Sequence, residues 1–490
     1  MSLFENGFLA EYSEQEVPDY RGNPLIESLP PILEMDEAIE ALSYYPQYNE
    51  SERQLGPLAR IHCLRRLKKF FLPLIEHIQL EQNIGISIRE GYVARNPIKK
   101  KEYAIRLQKG YKAIKERKEI SETFGDLPTS SAGFTLVGYS GIGKTTALNK
   151  VTSLYPKVIL HSEYRGEPLI QKQIPFLKLE CPDSLKALCL NFFNAVDSIL
   201  GENYERKFGS QRATAESMRI HMVQVANLHS LGVLIIDEVQ HLCKTRSGGD
   251  ILNFLVTLVN MIGIPVILVG TPKALDILQR QFRQARRGSG QGDALWGRMM
   301  KDSVWDFLLE TMWEYQWTRT KVKLTKELND VLYDESQGIM DIAVKLYILA
   351  QAEVINHYSE EETITPDLIM KVAKEKLRLV QPMLNAIRAY SKNKQEKVIF
   401  RFEDLLPFED VSVEIDELLD RKETMLRNED LIARKTKSKK TNKLEQLIAS
   451  LINFGIDSDV AQEYATRAIA EHGEEREVIA LARMALTYIE

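Results

Sequence analysis

Between residues 134 and 330 the chain alternates short apolar runs with longer stretches in which apolar residues recur every three or four positions. FTLVG (134–138), KVILHSEY (157–164), FLKLEC (176–181), VLIID (233–237) and PVILVG (265–270) have the length of buried strands. GKTTALNKVTSLY, SLKALCLNFFNAVDSIL and ILNFLVTLVNMIG carry helical spacing. Strand and helix in alternation predict an α/β core, a parallel sheet sandwiched by helices.

The flanks read differently. After residue 300, LTKELNDVLYDES, GIMDIAVKLYILAQAEVI and TPDLIMKVAKEKLRLVQPML predict three helices. The last opens on Thr365 and Pro366, an N-cap followed by a first-turn proline. Before the core, helical pattern begins near Glu34, and LARIHCLRRLKKFFLPLIEHI (58–78) predicts one amphipathic helix. Leu64, Leu67, Phe70, Phe71 and Leu74 line its apolar side, with Arg65, Arg66, Lys68 and Lys69 opposite. That basic face is either solvated or a nucleic-acid face. The tail, 444–490, predicts a small three-helix bundle.

These patterns divide the chain into five parts. They are an acidic arm with a basic helical region (1–125), an α/β core (126–300), a helical lid (301–390), an irregular segment with a basic linker (391–443) and the terminal bundle (444–490). No internal repeat is evident.

Composition changes little in this picture. With 490 residues, 44% hydrophobic and 27% charged, the chain has ordinary globular proportions, which excludes wholesale disorder. Its net charge of −5 excludes a protein that is basic throughout. Charge is nevertheless unevenly spread. Residues 1–52 hold twelve acidic residues against Arg21 alone, and residues 53–123 hold seventeen basic against seven acidic. Pro18, Pro24, Pro30 and Pro31 make the first half of the acidic start read as an extended arm. Six Lys and Arg lie between Arg434 and Lys443, as a tether or a DNA contact. The N-terminus shows no secretory pattern and no apolar run approaches a membrane span. Cys63, Cys181, Cys189 and Cys243 show no metal-ligand spacing, as reduced cytoplasmic thiols would.

The candidate chemistry begins at GYSGIGKT (138–145), which follows a strand and opens a helix, the context a P-loop requires. Gly138, Tyr139, Ser140, Gly141, Ile142 and Gly143 would wrap their N–H groups around phosphate oxygens, helped by the helix N-terminus. Lys144 would reach the β- and γ-phosphates of ATP, Thr145 would coordinate Mg2+, and Thr146 would follow on the helix. VLIIDE (233–238) ends a buried strand in two carboxylates. Asp237 would hold the metal through water, and Glu238 would polarise the attacking water. Thr271, closing the strand PVILVG, is placed to hold that water; a simple Gly-Thr-Pro turn is the alternative.

These residues resemble the AAA+ ATPases, over about 130–350. More specifically, YRGEPLIQKQIPFLKLECPDSLKALCLNFFNAVDSILGENY (164–204), LIIDEVQHL (234–242) and VILVGTPKALDIL (266–278) resemble TnsC-type transposition regulators, relatives of the TniB and IstB-like transposon ATPases. The resemblance implies an AAA+ P-loop NTPase core with a helical lid and helical N- and C-terminal extensions. It makes Thr271 a sensor-1 residue and Arg286, or next Arg287, an arginine finger reaching a neighbouring subunit. It places DNA contacts at Lys186, Arg212 and Thr214. It departs from the pattern at the lid, where Gly338-Ile-Met-Asp341 replaces the sensor-2 Gly-x-x-Arg and Lys345 lies one turn on.

What the resemblance implies is a bacterial, cytoplasmic ATPase that assembles head to tail on double-stranded DNA as a ring or helical filament. It would recruit a transposase to a target chosen with a TnsD- or TniQ-type selector, and hydrolysis would take the polymer apart. A helicase-loader or origin-type ATPase shares the same core, and an ATP-gated adaptor without turnover is a third possibility, against which Glu238 argues.

Overall fold

A computed structural model of the protein describes residues 7–116, 133–244, 249, 251–255, 263–274, 293–356, 362–393, 444, 446–452, 456–472 and 478–486. The chain divides into two compact units, Met1–Leu418 and Leu419–Glu490.

Among the described residues the strands are β1 (Phe8–Leu9), β2 (Phe134–Gly138), β3 (Ile159–Tyr164), β4 (Glu167–Gln173), β5 (Phe176–Glu180), β6 (Val233–Asp237), β7 (Val266–Gly270) and β8 (Asp293–Trp296). Five form an all-parallel sheet in the order β5-β6-β7-β2-β8. Every residue of β2, β6 and β7 is buried. A parallel sheet covered on both faces explains why these strands read as unbroken apolar runs. Helices Leu185–Leu200 and Ala215–Leu228 pack together and share one core with residues of β5, β6 and β7. The strand β7 lies between β2 and β6, so the loop after β7 opens between the ends of the other two.

Two strand assignments are corrected. KVILHSEY does not enter the central sheet. As β3 it pairs antiparallel with β4 and parallel with β1 in a separate three-stranded sheet. The turn between β3 and β4 is Arg165-Gly166, both at positive φ (52° and 83°), which suits a tight hairpin and keeps the pair local. The fifth central strand is instead β8, DALW, too short to announce itself by pattern.

The helix expected over 58–78 is also corrected. Pro57–Leu64 is helical, Arg65–Lys69 is a 3-10 turn, and the chain then runs extended to a new helix, Ile75–Val93. Pro73 supplies no N–H and disfavours helical backbone at Leu72. Phe71 turns its backbone to Tyr44 instead, through two N–H···O bonds of 2.9 Å. Arg65, Lys68 and Lys69 remain exposed, while Arg66 pairs with Glu52 at 2.8 Å. A comparable break divides the last lid helix into Pro366–Lys376 and Gln381–Asn393. A continuous helix would drive the Pro382 ring against the carbonyl of Arg378.

The N-terminal segment shares the lid's core. Leu64, Leu67, Phe70 and Leu72 pack in one cluster with Trp305, Trp313, Trp317 and Tyr347. Arg60 is fully buried, donates to the Trp317 carbonyl at 2.9 Å and pairs with Glu362. The extended arm expected at the acidic start is corrected in part. Pro18 opens a 3-10 turn (Pro18–Tyr20) and Pro24 a short helix (Pro24–Glu27), since a proline suits the first turn of a helix. The segment is docked, with Tyr12 bonded to His161 at 2.8 Å and the buried Glu27 accepting from Gly22 N–H (2.6 Å) and Tyr164 (2.7 Å).

In the second unit, helices Ser458–His472 and Val478–Leu486 and the helical residues 446–452 share a core of Leu447, Leu451, Ala461, Ala465, Ala468 and Leu481. The basic linker, 434–443, lies outside the described residues. Among the described residues, no helix is long and apolar enough to cross a membrane.

Candidate nucleotide-binding site

The P-loop joins β2 to the helix Lys144–Thr152. Gly141 and Gly143 stand at φ 79° and 100°, a left-handed conformation that side-chain-bearing residues rarely adopt, so the loop can coil with its N–H groups turned inward. Gly143 is the N-cap of that helix. Ser140 and Gly141 are exposed along the loop, Ile142 is buried beneath it, and Thr145 and Thr146 are exposed on the first turn. Lys144 is buried, and its Nζ donates to the Gly138 and Tyr139 carbonyls at 2.6 and 2.8 Å.

The second strand end meets this loop. Thr145 Oγ1 donates to Asp237 Oδ2 at 3.1 Å, linking the hydroxyl and carboxylate expected to flank a metal. Asp237 Oδ1 accepts from the Glu238 N–H at 3.0 Å. Among the described residues no group of three or more His, Cys, Asp and Glu could hold a metal ion. The groups placed to hold a metal here are the Thr145 hydroxyl and the Asp237 carboxylate, hard oxygen donors of the kind Mg2+ takes.

Glu238 has φ 61°, strained for a residue with a side chain, and turns away from the strand line. Gln240, which sequence reasoning passed over, bridges the site: its Nε2 donates to Glu238, and its Oε1 accepts from Thr271 N–H at 3.1 Å. The only signal in the sequence is a polar residue two places after the carboxylate pair. Thr271 is 6% exposed, and among the described residues its Oγ1 has no hydrogen-bond partner. A buried hydroxyl left unbonded costs stability, so an orphan at this strand end fits a ligand or water supplied from outside the chain. Lys178 and Asn149 also reach this corner. Lys178 Nζ lies 3.2 Å from Asp237 Oδ2 and 3.0 Å from Asn149 Oδ1.

Two further elements border the loop. The strand β8 pairs Trp296 with Gly138, and a Cβ on Gly138 would lie 2.9 Å from Trp296 Cβ. His77, at the start of helix Ile75–Val93, packs its ring on Trp296 and Phe71, and burial lowers its pKa to about 3. From the lid, the Asp341 carboxylate comes within 3.8 Å of a Cβ built on Gly141, and it is ion-paired to Lys345. The lid thus presents a carboxylate beside the P-loop where the resemblance expects an arginine, with the nearby cation already engaged.

The residues expected to touch DNA converge elsewhere on the core. Lys186 Nζ donates to the Gln211 carbonyl at 3.0 Å, beside the exposed Arg212 and Thr214. Ser184 and Thr214 cap helices Leu185–Leu200 and Ala215–Leu228 by accepting from Ala187 and Ser217 N–H. Two capped helix starts, a lysine and an arginine therefore share one surface. Arg286 and Arg287, with Arg280 and Arg283, lie outside the described residues.

Residues 130–278 match the family described as AAA domain. No curated protein sequence matches the chain. Among solved structures the chain is similar to the Aeropyrum pernix ORC1 protein in complex with DNA, at 13% identity and TM-score 0.36 over 67% of this chain and 82% of that one. It is also similar to the Aeropyrum pernix ORC2 protein in ADPNP–ADP complexes (15%, TM-score 0.33, 57% and 68%) and to the Walker-type ATPase PABY2304 of Pyrococcus abyssi (14%, TM-score 0.34, 58% and 76%). The strand order, the P-loop between β2 and its helix, and the family match over 130–278 make the core of this chain an AAA+ P-loop fold with helical extensions.

Proposed function

We propose that the chain is an ATP-hydrolysing AAA+ regulator of transposition that assembles on double-stranded DNA and releases it on hydrolysis. The observation that carries the ATPase part is the convergence of Lys144, Thr145, Asp237, Glu238 and Thr271 at one corner, with the Thr271 hydroxyl left without a partner among the described residues.

The residues divide the work. The P-loop N–H groups and Lys144 hold the β- and γ-phosphates of ATP; Lys144 leaves the Gly138 and Tyr139 carbonyls to do so. Thr145 and Asp237 hold Mg2+, which when bound neutralises charge on the transferred phosphoryl group. Glu238 accepts hydrogen-bond donation from the attacking water and draws on its proton. Thr271 Oγ1 orients that water, and Gln240 sets the spacing between the two. Arg286, or Arg287, supplied by the next subunit, completes the site and ties assembly to ATP.

The DNA part rests on Lys186, Arg212 and Thr214 sharing one surface with two helix N-termini, which suits phosphate contacts that position without reading sequence. The transposition part rests on the resemblance of 164–204, 234–242 and 266–278 to TnsC-type regulators, and it brings a transposase and a TnsD- or TniQ-type selector as partners. The test is electron-microscopic imaging with duplex DNA, with ATP, with a non-hydrolysable analogue and without nucleotide, alongside phosphate release. Rings or filaments that need nucleotide, are lost in Arg286→Ala and persist in Glu238→Gln, are the expected outcome. Monomers under all conditions would overturn head-to-tail assembly.

A further inference from the structure

The sheet edge places a lysine on the carboxylate expected to bind metal. Along β5, Leu177 and Leu179 enter the core, while Lys178 faces the other way. In register it sits beside Ile235, two residues before Asp237, and its four-carbon stem reaches forward along the strand. The ammonium ends 3.2 Å from Asp237 Oδ2, the same oxygen that accepts from Thr145 Oγ1 at 3.1 Å. Asn149, on the P-loop helix, accepts from it at 3.0 Å and fixes its direction. Asp237 is nearly sealed (5% side-chain exposure) and Lys178 only one-fifth exposed, so solvent screens this pair less than a surface one.

We propose that Lys178 is a built-in counter-cation of the metal site, competing with Mg2+ for Asp237 and thereby setting the Mg2+ concentration at which nucleotide is bound. The inference rests on the ATP–Mg2+ reading of this corner. Without metal, one positive charge from the chain itself compensates the buried Asp237. As metal enters, the ammonium must give up Oδ2, or remain and repel the divalent ion. Either way metal binding carries a penalty that a neutral side chain at 178 would not impose. Lys178 touches none of the reacting atoms, so it is a positioning residue whose effect falls on metal dependence.

The experiment is equilibrium binding of a fluorescent ATP analogue to the full chain over a Mg2+ titration, comparing the unaltered protein with Lys178→Met, Lys178→Arg and Asn149→Ala. Removing one charge at this range should lower the half-saturating Mg2+ concentration in Lys178→Met by about three- to ten-fold. Lys178→Arg should keep the original value, and Asn149→Ala should shift it slightly or not at all. A Lys178→Met curve that superimposes on that of the unaltered protein, or moves to higher Mg2+, overturns the proposal. A shift of equal size in Lys178→Arg would mean that shape at 178, not charge, matters, and would overturn it too. If the unaltered protein binds the analogue with no response to Mg2+, or fails to bind it, the underlying reading of the site fails and the proposal falls with it.

Discussion

Thr271 is the residue at which stability and chemistry make opposite demands. Its hydroxyl is buried and, among the described residues, unbonded, so it costs stability. Thr271→Val removes the hydroxyl and keeps the shape. The expected outcome is a melting temperature unchanged or slightly raised, with ATP turnover lowered by about 10- to 100-fold. Loss of both together would assign Thr271 to the turn alone. Glu238→Gln should bind nucleotide normally and hydrolyse it at least about 100-fold more slowly, read by single-turnover phosphate release. At this scale the sequence was informative wherever chemistry demands a fixed spacing. GYSGIGKT and VLIIDE could be read as a strand-to-helix loop and a buried strand end, and the fold has them so. Gln240 and Lys178 could not, because each acts through a contact between distant strands or loops that no local pattern records.

Among the elements, the segment from Tyr44 to Val93 departs most from its sequence pattern. The apolar spacing of 58–78 describes burial correctly, but two separate surfaces bury it, and Pro73 decides where the helix ends. Its firmest hold on the lid is Arg60, a guanidinium with no exposure, on Glu362, which also accepts from the Arg319 N–H at 2.8 Å. Burial alone would raise the Glu362 pKa, but Arg60 and the Arg319 N–H hold it below the ordinary carboxylate range. Arg60→Met should cost about 3–5 kcal/mol, because it strands a buried carboxylate. The double variant Arg60→Met/Glu362→Gln should recover a substantial part of that loss in chemical denaturation. Additive losses would show that the two side chains act independently. The sign of the pH effect follows from the lowered pKa: the contribution is present above the unfolded value and is lost as pH falls through the folded one.

For the whole molecule, buried histidines set the acid limit. Burial lowers His77 to about 3, and His161 and His229 to about 4. Unfolded, each would take a proton near pH 6.5. Their stabilisation is therefore present above about pH 6.5 and is lost as pH falls toward their folded values. Glu81 opposes them. Burial raises it to about 7 against the pull of Arg89, so its contribution is full in acid and is lost as pH rises through 7. Three groups outweigh one, and the melting temperature should fall between pH 7 and pH 5. Glu81→Gln should make that fall steeper and raise stability at pH 8; the reverse would show that Glu81 is ionised in the folded chain. The parallel core was legible because continuous burial writes continuous apolar runs. Of the small β1-β3-β4 sheet only β3 showed as a strand; the half-exposed β4 resembles any polar loop, so the sheet that β3 joins was not legible.

The Tyr44–Phe71 bridge has a mechanical meaning. Lys150, on the P-loop helix, lies over both rings, 4.8 Å from Tyr44 and 5.6 Å from Phe71, while the same strap is anchored in the lid through Arg60. Lid and P-loop are thus braced in parallel by a third member, as a truss is stiffened by its diagonal. A shift of the P-loop helix would therefore load the lid through this strap.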